Sequence, residues 1–330
     1  MLFRMMNAIK KRGILGFAGA GATDLLGLLA KFLAKARDNY SRYCFINRRS
    51  DSEILILVLA GYKPYLWPAT LTRIKRYSPK GADICIVSSG LFCEKLSDFC
   101  QENGWSYLSV ARNSPGVSLN RAIALHPKAD FIYKLNEDIF IGDKFFLLLK
   151  KGYCEAFTSK SLEPGFCAPI INVNGISYSE FLRRLNIQND YEHRFGKIIP
   201  RCGDVPIHND PEACWWIWEK TLPFDTTARK FSEVKSDNIT CCTRFSIGAI
   251  LFRRSFILQA GGFKSSWHSG ILGIDEEMLC RDCVGLSRPM QIVSTVLAGH
   301  FSFFHQEQFM REKLPLMCEL DPETFPPDFF

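Results

Sequence analysis

Between residues 53 and 141 short apolar runs alternate with amphipathic stretches. EILILVLAG at 53–61, rich in β-branched and large apolar residues, predicts a buried strand. PATLTRIKRY at 68–77 predicts a helix opened by proline, whose fixed φ suits a first turn. DICIVSSG (83–90) predicts a second strand, and FCEKLSDFCQENG (92–104) a helix stopped by glycine. WSYLSVA (105–111) predicts a third strand, SLNRAIALHP (118–127) a helix ended by Pro127, and DFIYKLNEDIFI (130–141) a fourth strand. This alternation predicts an α/β fold, a mixed and mostly parallel sheet flanked by helices. Ligands of such sheets bind beyond the carboxyl ends of the strands. Ser88 to Gly90, Asn113, and Asn136 to Asp138 all lie at such ends.

The pattern is less regular over 150–240, where CWWIWEKTLPFD (214–225) sets Trp215, Trp216 and Trp218 close together. RFSIGAILFRRSFILQAGGF (244–263) then predicts a strand, a helix and a Gly-Gly turn. GIDEEMLCRDC (273–283) predicts an acidic loop entering a helix, and MQIVSTVLAGHFSFFHQ (290–306) a late strand carrying His300, with His305 beyond it. The proline-broken tail LDPETFPPDFF predicts extended chain.

Near the start, GILGFAGAGATDLLGLLAKFLAKA (13–36) is long enough to cross a bilayer, but Asp24 stands in its middle. A central Asp costs about 2.5–3.5 kcal/mol on insertion, which disfavours a span and also spoils a signal-peptide core. An amphipathic helix fits better. Leu25, Leu28, Leu29, Phe32, Leu33 and Ala36 fall on one side, Lys31 and Lys35 on the other. Such a helix binds an anionic membrane surface or packs on protein. The chain thus divides into a basic amphipathic helical segment, 1–50, and one domain, 51–330, whose halves are 51–149 and 150–330.

The net charge of +7 adds little to a functional reading once it is located. Residues 1–50 hold ten Lys or Arg against two Asp, which leaves the rest of the chain nearly neutral. That balance does not indicate a body that tracks a nucleic-acid backbone. Thirteen cysteines, an odd number without regular spacing, point to a reducing compartment rather than a disulfide framework. Cys280 and Cys283 lack further ligands at zinc spacing and read as buried thiols. The expected location is cytoplasmic, peripheral on the cytoplasmic membrane face. A lumenal location is the alternative, for which Asn39-Tyr-Ser and Asn238-Ile-Thr are acceptor sequences.

YKLNEDIFIGDKFF (133–146) carries the chemistry. Charge is costly to bury unless paired, yet Asn136, Glu137 and Asp138 stand between two apolar runs. On an extended backbone Asn136 and Asp138 point the same way and offer oxygens to a hard divalent cation. A helix cap is the competing reading of the same residues.

Six segments in order resemble the GT-A-fold nucleotide-sugar glycosyltransferases, particularly the inverting family 2. They are ILILVLAGYK, ARNSPGVSLNRAIA, KLNEDIFI, FSIGAILFRRSFILQAGGF, GIDEEML and the late His300. The resemblance spans roughly 53–306. It implies a GT-A-like (Rossmann-like) domain with a donor-binding half at 51–149 and an acceptor-binding half at 150–330. It also implies a metal-dependent inverting transfer of a sugar from a nucleotide-diphosphate sugar to a hydroxyl acceptor, a glycan or lipid-linked molecule, in surface glycan synthesis. Asp138, Asn136 and His300 would hold Mn²⁺ or Mg²⁺, with His305 the alternative to His300. Asp275 or Glu276 would be the base. Gly61, Tyr62, Ser88, Asn113, Asn120, Arg121 and Asn136 would line the donor pocket, and Trp215, Trp216 and Gly262 the acceptor side. Asn136 in an acidic slot and Ser88 at the second strand's end depart from the family pattern. The alternatives are a nucleotidyltransferase on a similar sheet and a non-catalytic nucleotide-sugar-binding relative.

Overall fold

The computed structural model describes residues 37–38, 40–160, 162–270 and 273–326. The amphipathic helix expected over 23–36 lies outside them. No helix among the described residues is long and apolar enough to cross a membrane. The chain forms two compact units, Met1–Arg42 and Tyr43–Phe330. The second unit begins before residue 51, because the strand β1, Tyr43–Ile46, belongs to its sheet.

The expected alternation is present. Strands β2 (Ile54–Leu59), β3 (Asp83–Ser89), β4 (Ser106–Val110) and β5 (Phe131–Asn136) are mutually parallel in the order β4-β3-β2-β5. Their side chains are buried almost throughout, as a sheet covered on both faces requires. The covering helices are amphipathic. In Trp67–Tyr77, Leu71 and Ile74 face the core while Lys75 and Arg76 face solvent. Arg73 of that helix is buried and satisfied, its Nε donating to Ile141 O at 2.7 Å and its guanidinium pairing with Asp225.

The run at 130–141 is not one strand. The chain turns at Glu137 and Asp138 and enters β6, Ile139–Ile141. β6 lies at the far edge of the sheet, beyond β9 (Ala249–Arg253), β7 (Phe166–Ile171) and β10 (Met290–His300). β10 runs parallel to β7 and antiparallel to β6, and a short strand, β8 (Ile239–Cys241), pairs with β10 as well. Six strands, β2 to β5 with β7 and β10, therefore point one way, and their carboxyl ends form one rim.

The stretch that looked irregular is largely helical, with helices Tyr178–Leu185, Gln188–Phe195, Pro211–Thr221 and Phe224–Ser232. In Pro211–Thr221 the Asp210 carboxylate caps the start by accepting from the backbone N–H of Glu212 and Ala213. Trp215, Trp216 and Trp218 of this helix are all buried. Gly299 is the reason Trp218 can lie against β10. A Cβ there would sit 2.7 Å from the indole, closer than side chains approach in packed interiors.

Candidate active site

The β6–β10 register brings the site together. Ile139 pairs with His300, and one step further the Phe301 N–H donates to Asp138 O at 3.0 Å. Asp138 therefore meets the end of β10 although 162 positions separate it from His300 in the chain. His300 Nε2 lies 3.4 Å from Asp138 Oδ2, with both side chains nearly buried. Three neighbours set the position of His300. Its N–H donates to Asn172 Oδ1 at 2.9 Å, its ring meets Phe303 edge-on, and its carbonyl accepts from Trp218 Nε1 at 3.1 Å. Its Nδ1 is 3.1 Å from Val173 O. A carbonyl only accepts, so Nδ1 carries a proton, and Nε2 is the ring nitrogen that faces Asp138.

A lysine that sequence reasoning left out completes this pair. Lys63, just beyond β2, places Nζ 2.8 Å from Asp138 Oδ2 and 3.3 Å from Glu307. Burial alone would raise the Asp138 carboxyl's pKa; the charges of His300 and Lys63 outweigh it and hold the group far below the carboxylate range. Burial would likewise lower the Lys63 pKa, but Asp138 and Glu307 carry it above the ordinary value. The other carboxylate oxygen, Asp138 Oδ1, is buried with no hydrogen-bond partner among the described residues. An unpaired carboxylate oxygen in a buried position is costly.

The three polar residues of the strand end have separated roles. Glu137 accepts from the Gly61 and Tyr62 N–H groups at 3.0 Å and from Trp67 Nε1 at 2.6 Å. It fixes the loop after β2. Glu137→Ala would strand three donors and cost about 2–3 kcal/mol, read as a lower midpoint in urea with an unchanged slope. Asn136 does not join Asp138, because the turn breaks the extended geometry that would align them. Its Oδ1 accepts from the buried Lys134 Nζ at 2.6 Å, whose second partner is Ile247 O at 2.7 Å. Asn136, expected among the metal ligands, thus has its side-chain oxygen engaged by Lys134. Burial lowers the Lys134 pKa, against the opposing charges of Asp275, Glu276 and Asp138. A lysine inside an apolar strand run was a visible signal in FIYKLN that attention to the acids alone passed over.

Beside His300 lies a cleft of about 620 Å³, walled by Arg201, His208, Arg244, Gly273, Glu276 and Phe303 among others. Phe303 is shared, since its ring touches both His300 and His208. Glu276 and Asp275 open the helix Ile274–Gly285. Glu276 lines the cleft and is held by Arg244 Nε at 2.9 Å and the Ile247 N–H at 3.2 Å. Asp275 is nearly buried and is the first of the charges acting on Lys134. The two candidate bases thus face different surroundings, and Glu276 is the one that lines the cleft.

His208 also went unnoticed in sequence. Its Nε2 accepts from the Gly175 N–H at 2.9 Å, and its Nδ1 lies 3.1 Å from Gly203 O. Burial lowers its pKa from 6.5 to about 4. A base with a depressed folded-state pKa contributes stability above its unfolded pKa and loses it as pH falls toward the folded value. Melting temperature is therefore expected to drop between pH 6.5 and about 4, and His208→Gln to flatten that part of the profile in differential scanning calorimetry.

Several expected pocket residues are spent on the fold. Ser88 is fully buried, donating to Ala60 O at 2.8 Å and accepting from Tyr107 Oη at 3.1 Å. Asn120 clamps the Gly-Gly turn, donating to Phe263 O and accepting its N–H, both at 2.8 Å. Gly262, at φ +82°, packs against that amide. Trp215 and Trp216 are buried and offer no open platform, because the helix that bears them is covered on several sides. At Ser88, Asn120, Trp215 and Trp216, expected to contact substrate, the side chains are engaged in packing or internal hydrogen bonds. Arg121 lies over the Tyr43 ring. Gly61 and Tyr62 stand at the rim beside Lys63, and the Tyr62 hydroxyl donates to Ser89 O at 2.6 Å. Asn113 is at the rim too, its carbonyl accepting from the Gly270 N–H. His305 sits in the short helix Phe304–Gln306, beyond the end of β10.

No protein-family profile matches the chain, and no characterised protein matches it in sequence. Solved structures similar in shape include two glycosyltransferases. The crystal structure of GalNAc-T7 with UDP, GalNAc and Mn²⁺ superimposes with a TM-score of 0.47 at 12% identity, covering 76% of this chain and 43% of that one. The chain thus spans less than half the length of GalNAc-T7. The mannosyltransferase PcManGT from Pyrobaculum calidifontis, in complex with GDP-Man and Mn²⁺, gives 0.46 at 11% identity over 94% of this chain and 78% of that one. At these scores neither likeness bears on the chemistry of this chain.

Proposed function

We propose that the protein is a metal-dependent inverting glycosyltransferase that moves a sugar from a nucleotide-diphosphate sugar to a hydroxyl acceptor. One observation carries the reading. Asp138, with a partnerless buried carboxylate oxygen, Oδ1, stands beside His300 Nε2 at the carboxyl rim of the sheet, next to a cleft that holds a second carboxylate, Glu276.

Asp138 and His300 fit a divalent cation. Asp138 Oδ1 lacks a partner, and Val173 O fixes the His300 ring through Nδ1, so that Nε2 would be the ligating atom once a cation replaces its contact with Asp138. Asn136 and Glu137 do not fit, since their oxygens already accept from Lys134 and from the loop after β2. The remaining coordination would come from diphosphate oxygens and water, as hard cations accept. A bound Mn²⁺ or Mg²⁺ would offset the negative charge on the departing diphosphate.

The chain's own residues do the rest. The loop Gly61–Lys63, pinned by Glu137, and the rim at Asn113 border the donor's side of the sheet. The cleft takes the acceptor with its hydroxyl toward Glu276. A hydroxyl is a weak acid, so its proton must leave during attack. Glu276 accepts that proton while the acceptor oxygen bonds the anomeric carbon. The bond from that carbon to phosphate oxygen breaks, and the nucleoside diphosphate leaves with the electron pair. Single displacement inverts the anomeric centre. Holding both substrates in line supplies much of the rate.

A panel of UDP-, GDP- and dTDP-sugars screened by thermal shift with Mn²⁺ tests the proposal. A nucleotide sugar that binds the native state raises the melting temperature, and the same donor should then yield free nucleoside diphosphate with an acceptor mixture. No shift and no release with any donor would overturn it.

A further inference from the structure

Lys63 and Asp138 form a pair that a divalent cation at Asp138 must disturb. The ammonium holds Asp138 Oδ2 at 2.8 Å, the oxygen that also faces His300 Nε2 at 3.4 Å. A second acceptor is already in place, Glu307 Oε2 at 3.3 Å, and Glu307 is steadied by the Tyr65 hydroxyl, which donates to its other oxygen at 2.7 Å. The backbone beneath Lys63 is rigid. The Gly61 and Tyr62 N–H groups are tied to Glu137, and Pro64 opens the helical turn that follows. The long lysine side chain is therefore the movable part, with four rotatable bonds between a fixed backbone and an ammonium that has three donors.

We propose that Lys63 is a movable ligand for the donor's diphosphate. It neutralises Asp138 while no divalent cation is bound there. Once a cation takes Asp138, the ammonium turns to diphosphate oxygens and keeps Glu307 as its anchor. The physical reason is charge. A divalent cation and an ammonium repel when both approach one carboxylate, and the diphosphate brings the negative charge that draws the ammonium off. This rests on the glycosyl-transfer reading above and adds a phosphate contact that no acidic or Gly-rich motif in the sequence supplies.

The test is isothermal titration of wild-type protein and Lys63→Met with Mn²⁺ alone, then with UDP and GDP in saturating Mn²⁺. The two affinities should move in opposite directions. Mn²⁺ alone should bind the variant about tenfold more tightly, because its competitor is gone. The nucleoside diphosphate should bind about tenfold more weakly, because a charged hydrogen bond is lost. Lys63→Gln, which leaves a neutral donor for Asp138, guards against misfolding and should give the same opposed shifts. If both affinities weaken together, or neither moves, Lys63 is a structural residue and the proposal fails. Wild-type protein that binds Mn²⁺ but neither nucleotide overturns the glycosyl-transfer reading along with it, which separates the two failures.

Discussion

Asp138→Ala is expected to reduce sugar transfer about a thousandfold while leaving the fold cooperative. The carboxylate is the only acid at the strand end with an oxygen to spare, because both oxygens of Glu137 are already accepting. Losing the group that holds the cation forfeits several kcal/mol of charge stabilisation at the departing phosphate, and each 1.36 kcal/mol is about a factor of ten in rate. The fold should survive, because Lys63 keeps Glu307 and His300 keeps Val173 and Asn172. The diagnostic readout is the melting curve. Wild-type protein with a nucleotide sugar should gain stability on adding Mn²⁺, and the variant should not. An active variant, or one that still responds to Mn²⁺, would remove Asp138 from the chemistry.

Glu276→Gln is the second large effect, an expected loss of about a thousandfold in kcat, within the range that general-base removal produces. The amide keeps the size of the side chain and an oxygen for Arg244 and the Ile247 N–H, so donor binding should be unchanged. Donor Kd from titration and kcat from nucleotide release separate the two. Asp275→Asn is the control. That carboxylate is nearly buried and acts on Lys134, so its loss should appear in stability more than in kcat. If Asp275→Asn abolishes turnover while Glu276→Gln does not, the roles are reversed.

Much of the scaffold could be read from the chain. Runs such as ILILVL, and ICIV within DICIVSS, are apolar at every position, as strands of a sheet covered on both faces are, and they are strands. The Gly-Gly turn after the helix Arg254–Gln259 and the acidic entry to the helix Ile274–Gly285 were legible from local rules about glycine and helix N-termini. The break within 130–141 was not, because a strand that leaves one edge of pairing for another keeps the same apolar character on both sides of the turn.

At the site, the residues Asn136-Glu137-Asp138 announced themselves by placing polar groups between apolar runs, and a late histidine at the end of a strand was equally visible. What each acid does was not visible. Glu137 serves a loop 75 and 76 positions away, Asp138 answers Lys63 at a separation of 75, and the tryptophans that looked like a sugar platform are packed inside the molecule. The order of strands and helices follows from local patterning, since period and turn chemistry act over a few residues. The assignment of each charge follows from which distant partners the sheet register delivers, and in a buried site the energy of a charge is set by those partners rather than by its neighbours in the chain.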